Sequence, residues 1–238
     1  MDIIFIYLKA YSLSVYMFIL SVTVCAQETD PSSRHEKPAD LQLFLNGRIW
    51  HNQYGKVFGD QFFLTNSYLK GSATVNGIRY ENLDLQYDIA SDELILKRES
   101  SPVIIMNKEF VDSFTLSFGG RKYKIINERT DTNIIHSGYI NVLYDGPSGL
   151  YVKYSKKIQP LAVDGRYDLF YEEKRIYIKN GHLFTRVENR KDLYALMDDR
   201  KKELKEFVRN TRSGNNRISK KDPESIIPVL RYYDSIMK

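Results

Sequence analysis

GSATVNGIRYENLDLQYDIASDELIL, residues Gly71–Leu96, alternates apolar and polar side chains with a period of two and breaks that alternation at three places. The first break is Asn76-Gly77, between Val75 and Ile78. Both central residues of a type I′ turn need positive φ, which Asn tolerates and Gly adopts freely, so the spacing predicts a tight hairpin with Val75 opposite Ile78. At the second break the apolar parity slips by one between Tyr80 and Leu83. Glu81-Asn82 must therefore hold a bulge or turn that returns Leu83, Leu85, Tyr87 and Ile89 to the apolar side. Ser91-Asp92 turns the chain again and points Leu94 and Leu96 inward. The reading is an antiparallel meander with one wet face, on which Asp84, Gln86 and Asp88 stand.

The same pattern extends in both directions. Asn46-Gly47 repeats the turn within LQLFLNGRIW (41–50), pairing Phe44 with Ile49, and Asn180-Gly181 repeats it between Arg175–Lys179 and Leu183–Val187. Phe114, Leu116 and Phe118 turn at Gly119-Gly120 and return as Tyr123 and Ile125. Tyr139–Tyr144 and Leu150–Tyr154 flank a longer turn at residues 145–149. Three Asn-Gly turns without a fixed repeat argue for a meandering sheet or barrel and against a solenoid. At Asn189 the period changes to that of a helix: Leu193, Leu196, Met197, Leu204, Phe207 and Val208 form one stripe, interrupted by Arg200. Asp222-Pro223-Glu224 opens a second helix, which Pro228 should bend.

The N-terminus gives an address. No charge occurs from Ala10 to Ala26, and Leu13–Val24 is apolar apart from Ser and Thr, which reads as an export signal cleaved after Ala26. Ile3–Val24 is also nearly long enough to stay as a membrane anchor, and Cys25 raises a lipoprotein reading against which Val24 speaks. Gln27–Asp40 is polar with two prolines and reads as a disordered tether. Cys25 is the chain's one cysteine, so cleavage leaves neither a disulfide nor a thiol nucleophile.

The run G-x-x-x-x-N-G-x-x-Y-x-N-L-x-L-x-Y-D-x-x-x-D-x-L from Gly71 to Leu94, with Gly138–Lys153 and the ending Asp222-Pro223-Glu224…Tyr232-Tyr233-Asp234, resembles a group of uncharacterised exported proteins of Bacteroidota bacteria. The resemblance covers residues 44–234. It implies export into a Gram-negative envelope and assigns no chemistry.

The residues themselves assign little more. The four histidines, His35, His51, His136 and His182, show no paired metal spacing, and Asp84, Asp88 and Asp92 lack the glycine-punctuated loop of a calcium site, so they read as solvated strand and turn residues. No nucleophile elbow, phosphate loop or dinucleotide fingerprint occurs, and spacing singles out no pair of carboxylates for glycosidase chemistry. Neither a catalytic residue nor a cofactor or metal is assigned. Charge is more informative. Residues 186–221 hold twelve Lys and Arg against six Asp and Glu, a surplus larger than the chain's net charge of +5. An export signal removes nucleic acid as the partner, and leaves a solvated helix face or an attraction to anionic lipid or glycan surfaces. The candidate contacts are Lys201, Lys202, Lys205 and Arg209. Trp50, Tyr151 and Tyr154 are candidate stacking aromatics, with strand packing as the alternative.

The expected protein is α+β: a signal over residues 1–26, a tether over 27–40, then one domain. That domain is a mostly antiparallel curved sheet or open barrel over 41–187 with two C-terminal helices over 188–238 packed on it. The expected function is a noncatalytic envelope binding or interaction module, periplasmic or associated with the outer membrane, whose partner is an anionic lipid or glycan surface or another envelope protein. A carrier holding an apolar ligand inside the curved sheet and a glycan-active enzyme are the alternatives.

Overall fold

The computed structural model describes residues 47–98, 102–129, 138–160, 168–181, 183–210, 219 and 221–237. The signal, the tether and residues 41–46 lie outside the described residues; Gly47, which is described, lacks the positive φ that the expected Asn46-Gly47 turn requires and lies against the Ile105 carbonyl.

The strands are β1 (Arg48–Ile49), β2 (Val57–Phe58), β3 (Leu69–Val75), β4 (Ile78–Asp88), β5 (Glu93–Lys97), β6 (Ile104–Ile105), β7 (Val111–Phe118), β8 (Arg121–Glu128), β9 (Gly138–Tyr144), β10 (Ser148–Gln159), β11 (Asp168–Asn180) and β12 (Leu183–Val187). They form one twelve-stranded sheet in the order β1-β6-β5-β4-β3-β7-β8-β9-β10-β11-β12, with β2 alongside β11. Every pairing is antiparallel except β2 with β11. The α+β reading with a curved sheet holds. Closure into a barrel does not: the ladder stays open between β1 and β12, although the curl brings the Lys156 N–H of β10 to the Ile89 carbonyl just past β4 at 3.2 Å.

Local chemistry explains the turns. Val75 pairs with Ile78, and Asn76 and Gly77 take φ of +49° and +78°, as the type I′ geometry requires. The predicted bulge lies where Gly71 pairs with Leu83 and Ala73 with Tyr80, with Asn82 at φ +57°. Phe118 pairs with Arg121 around Gly119-Gly120, both at positive φ. Two turns differ in detail. Asn180 pairs with Leu183, so the third Asn-Gly turn is shifted by one and begins at Gly181. Ser148 and Gly149 already belong to β10, which shortens the turn before it.

One face of the sheet buries Leu85, Tyr87, Leu94, Leu96, Phe114, Leu116, Ile125 and Tyr139 with Phe63 inside the curl. Further along, Leu150, Val152, Ile176, Ile178 and Val187 pack under the helices, and Tyr154 touches both clusters. The other face is not wet at β4. Gln86 and Asp88 are both 3 % exposed, because the chain from Trp50 to Phe62 folds back over this face and Phe62 and Trp50 pack on Ile95 and Ile105. Asp88 bridges Phe62 by backbone pairing, and its carboxylate accepts the Ala90 and Ser91 N–H groups at 2.8 and 3.0 Å. The polar residue that alternation assigns to water is a turn cap under a covering segment. Asp84, half-buried, pairs with Lys70.

Three α-helices, not two, lie near the C-terminus: α1 (Arg190–Leu196), α2 (Lys201–Asn210) and α3 (Ile227–Ile236). Asn189 and Asp192 form a capping box at the start of α1. The expected long helix breaks at Met197 into a short 3₁₀ turn, Asp198–Arg200. Asp is a poor interior residue and a good terminal one, and Asp199 is held there by the Tyr233 hydroxyl at 3.2 Å. Pro228 falls in the first turn of α3, where a missing N–H breaks no helical hydrogen bond, so the helix begins there instead of bending. Asp234 on α3 accepts the Tyr144 hydroxyl at 2.8 Å and the Ser148 N–H at 3.1 Å, which fastens the helix to the β9–β10 turn.

The stripe that predicts burial of Leu193, Leu196, Leu204 and Phe207 is half realised. Leu193 and Leu204 are fully buried, whereas Leu196 is half-buried and Phe207, also half-buried, stacks on Tyr232 at 4.3 Å. Leu204→Ala should therefore destabilise by about 2–5 kcal/mol, and Leu196→Ala by clearly less. Urea denaturation of the two variants checks this ordering; equal midpoints would contradict the placement of the stripe.

Candidate functional site

Two places combine exposed space with charge. The first is the outer face of α1 and α2. Arg190, Lys202, Lys205 and Arg209 line a shallow groove of about 540 Å³ with Tyr194, Val208 and Glu206. On one straight helix Arg190 and Lys202 would stand about 18 Å apart along the axis, twelve residues at about 1.5 Å each. The break at Met197 brings them to one groove. Lys202, Lys205 and Arg209 repeat at helical spacing and are exposed, and the Lys205 ammonium stands 6.0 Å from the Tyr194 ring centre. Arg209 lies 3.9 Å from Glu206. Among the described residues no carboxylate pairs with Arg190, Lys202 or Lys205 within 4 Å. Lys201 is outside this lining and bonds to Asp198 at 2.7 Å, which lowers the Asp198 pKa. Three of the four predicted basic residues thus come together, Lys201 is diverted, and Arg190 joins them. Only tertiary folding of the break signals Arg190.

The stacking candidates do not converge. Trp50 is half-buried against Phe62, at 6.2 Å. Tyr151 is buried in a separate cluster on the outer sheet face, with Phe184 edge-on at 5.0 Å. Tyr154 packs on Phe63 at 4.8 Å inside the curl, and burial pushes its hydroxyl pKa up to about 12. Their rings are used in packing in three separate clusters, because strand aromatics face whichever side of the sheet their parity gives them. Of the histidines, His51 alone falls in the described residues, where it is exposed. Among the described residues no three His, Cys, Asp or Glu side chains gather to hold a metal ion, and no helix is long and apolar enough to cross a membrane.

The second place has no counterpart in the expectations, which made Asp92 a solvated turn residue; Asp92 is in the turn, but largely buried and paired with Lys108 and Lys153. Where the curl opens between the β4–β5 and β6–β7 connections, the end of β8 and the start of β9, a cleft of about 1150 Å³ is lined by Arg48, Asp92, Glu93, Lys108, Glu109, Glu128, Arg129 and Gly138, among others. Asp92 forms its floor. It is the last residue of the loop between β4 and β5, at φ +59°, and its side chain is one-fifth exposed. One carboxylate oxygen accepts the Tyr87 hydroxyl at 2.6 Å and meets the Lys153 ammonium at 2.7 Å. The other accepts the Lys108 ammonium and, at 3.4 Å, the Tyr139 N–H. Lys153 also donates to the Tyr139 carbonyl at 2.8 Å, and Lys108 stands 5.1 Å from the Tyr139 ring centre. A Cβ on Gly138, at φ +114°, would overlap both the Asp92 carboxylate and the Lys108 ammonium, so glycine is required by this close approach.

The electrostatics follow from burial opposed by pairing. Desolvation alone would raise the Asp92 pKa, but the adjacent Lys153 charge and the hydrogen bonds from Lys108, Lys153 and Tyr87 hold it below the ordinary carboxylate value. Desolvation lowers the Lys153 pKa, which the Asp92 charge only partly offsets. Burial, and then the Asp92 charge, push the Tyr87 hydroxyl far above its usual range. The cluster reads as an ionised carboxylate with both oxygens occupied, which suits anchoring better than proton transfer.

Removing that carboxylate strands two ammonium groups. Asp92→Asn should cost about 3–5 kcal/mol at pH 7. Because the folded pKa lies below the unfolded value of about 3.9, the stabilisation is present above that value and disappears as pH falls through the folded one. The gap between wild type and variant should hold from pH 7 to about 5 and narrow below about 4. Urea titrations across that range test the assignment, and a gap independent of pH would contradict it.

Comparison of the chain with protein-family models, curated proteins and solved structures finds no match, so its function is inferred from the two places just described.

Proposed function

We infer that this is an exported cell-envelope protein, a noncatalytic binding module that docks on an anionic surface through Arg190, Lys202, Lys205 and Arg209. The observation that carries this reading is the convergence of four cations on one groove with Glu206 as the carboxylate in its described lining. Each Lys or Arg close to an anionic lipid surface is worth about 1 kcal/mol, and the attraction fades over a Debye length of about 8–10 Å at moderate salt. The export address rests on the uncharged Ala10–Ala26 segment and on the resemblance carried by Gly71–Leu94.

The competing readings have less support. A carrier needs an apolar cavity, whereas the curl is filled by Phe63, Tyr87, Phe114 and Tyr139, all under 5 % exposed. Glycan hydrolysis needs two available carboxylates flanking the bond. In the larger cleft Asp92 is occupied on both oxygens and Glu93 is paired with Arg48, and the two other carboxylates on its lining, Glu109 and Glu128, have no geometry that sets them as a pair across a bond.

Cosedimentation with phosphatidylglycerol vesicles at low salt should show association that weakens as salt rises and is absent with phosphatidylcholine. Changing Arg190, Lys202 and Lys205 together to Gln should weaken it on the order of 100-fold, from three charges at about 1 kcal/mol each, with an unchanged melting temperature. Lys201→Gln should change little. Wild-type protein that stays in solution at low salt, or a triple variant that binds like wild type, would return the basic groove to a merely solvated face.

A further inference from the structure

The groove of α1 and α2 has two features that docking on a diffusely charged surface does not require. The first is concentrated charge. Its lining carries four cations and one carboxylate, a surplus of three positive charges. Lys202, Lys205 and Arg209 follow one another at spacings of three and four on α2, which puts the Cβ atoms of neighbours about 5–6 Å apart. Like charges so placed repel, and the nearby acids relieve them little. Asp198 bonds to Lys201 at 2.7 Å and meets Lys205 only through its longer-range field. Glu206 lies 3.9 Å from Arg209, with both side chains mostly exposed. A bound anion of high charge would remove the repulsion.

The second feature is concavity with an apolar part. Tyr194 and Val208 line the groove and are each only 8 % exposed, and Arg190 reaches it from the start of α1. A plane of headgroups meets the rims of a groove, whereas about 540 Å³ is the scale of a small-ligand site, roughly 300–1,000 Å³. One headgroup can enter, with its phosphate among the cations and its first carbons on Tyr194 and Val208. A phosphodiester headgroup is a monoanion and leaves most of the surplus unneutralised. A phosphomonoester carries a charge of about −1.5 to −2 near neutral pH and offers three terminal acceptor oxygens, enough for ammonium groups and a guanidinium fork together.

We infer, taking the groove as the docking surface proposed above, that it binds a single phosphomonoester headgroup between Arg190 of α1 and Lys202, Lys205 and Arg209 of α2. The α2 cations attract any anionic surface, and the planar fork of Arg190 adds the directional hydrogen bonds that select the monoester.

The test is cosedimentation with phosphatidylcholine vesicles that contain either about 10 % phosphatidic acid or about 20 % phosphatidylglycerol, which gives the two a similar surface charge. Wild-type protein should bind the phosphatidic acid vesicles about 10-fold more tightly, the contribution of about one charge-assisted hydrogen bond. Arg190→Lys keeps the charge and loses the fork, so the ratio of the two affinities should fall most of the way to one. Lys201→Gln, outside the lining, should keep the wild-type ratio. Thermal unfolding establishes that each variant is folded. Titration with glycerol 3-phosphate separates the two sources of this chemistry: saturable binding assigns the free phosphomonoester, and a preference confined to vesicles assigns the lipid headgroup. Equal binding to the two vesicles, or an Arg190→Lys variant with the full preference, would overturn the selectivity and leave the docking function standing. Saturable binding of glycerol 3-phosphate by a protein that sediments with neither vesicle would do the reverse, and binding to none of the three would remove both.

Discussion

The carboxylate of Asp92, enclosed by two ammonium groups and a tyrosine hydroxyl, is the constraint on which the curl depends. β9 and β10 pair only from Tyr144–Leu150 to Asn141–Val152 and then separate. Beyond that point the sheet has no ladder of its own between these strands, and lysines of β10 supply the missing connections. Lys153 takes the Tyr139 carbonyl and Asp92, while Lys156 takes Asp60 and the Phe62 carbonyl at 2.8–2.9 Å. A flexible chain ending in three donors reaches carbonyls that a strand at fixed spacing could not. Such buried pairs gain little over apolar packing when intact and are expensive to break, so they fix the geometry of the curl more than they deepen its stability.

Much of the fold was legible because its rules are local. The Asn76-Gly77 turn and the Asn82 bulge follow from parity and from the few residues that tolerate positive φ. The same is true of the Asn189–Asp192 capping box, whose partners lie three residues apart. What the sequence conceals is covering and long-range pairing. Gln86 and Asp88 alternate like wet residues, and nothing in their neighbourhood announces that the Trp50–Phe62 segment will lie on them. Asp92 meets Lys108 and Lys153 across sixteen and sixty-one positions, and no spacing rule reaches that far. For the same reason the rim cleft has no sequence signature, whereas the positive surplus of residues 186–221 is plain in the composition.

The basic groove shows how a charge surplus becomes a directed surface. A straight amphipathic helix would spread its lysines along one side, with acidic neighbours interleaved. Breaking at Met197 leaves Asp198 and Asp199 at the bend, where Lys201 and Tyr233 engage them, and removes their charge from the groove that Arg190, Lys202, Lys205 and Arg209 line. The acids thus serve the bend, and the cations outside it keep an uncompensated field.

The order of the strands also has a consequence for how the chain acquires its shape. From β3 to β6 and from β7 to β12 each strand lies beside its neighbour in sequence, so both halves can grow hairpin by hairpin with little loop entropy at each step. The exceptions are β1 against β6, β2 against β11 and the seam of β3 against β7, where Gly71 faces Leu116 and Ala73 faces Phe114. Closing that seam joins two meanders already able to form, across a separation of some forty residues, and it completes the pocket in which Phe114 meets Tyr87 and Tyr139. The longest non-local ladder to close is therefore this central one, with locally formed hairpins on either side of it and the short β1–β6 and β2–β11 pairings added at the margins.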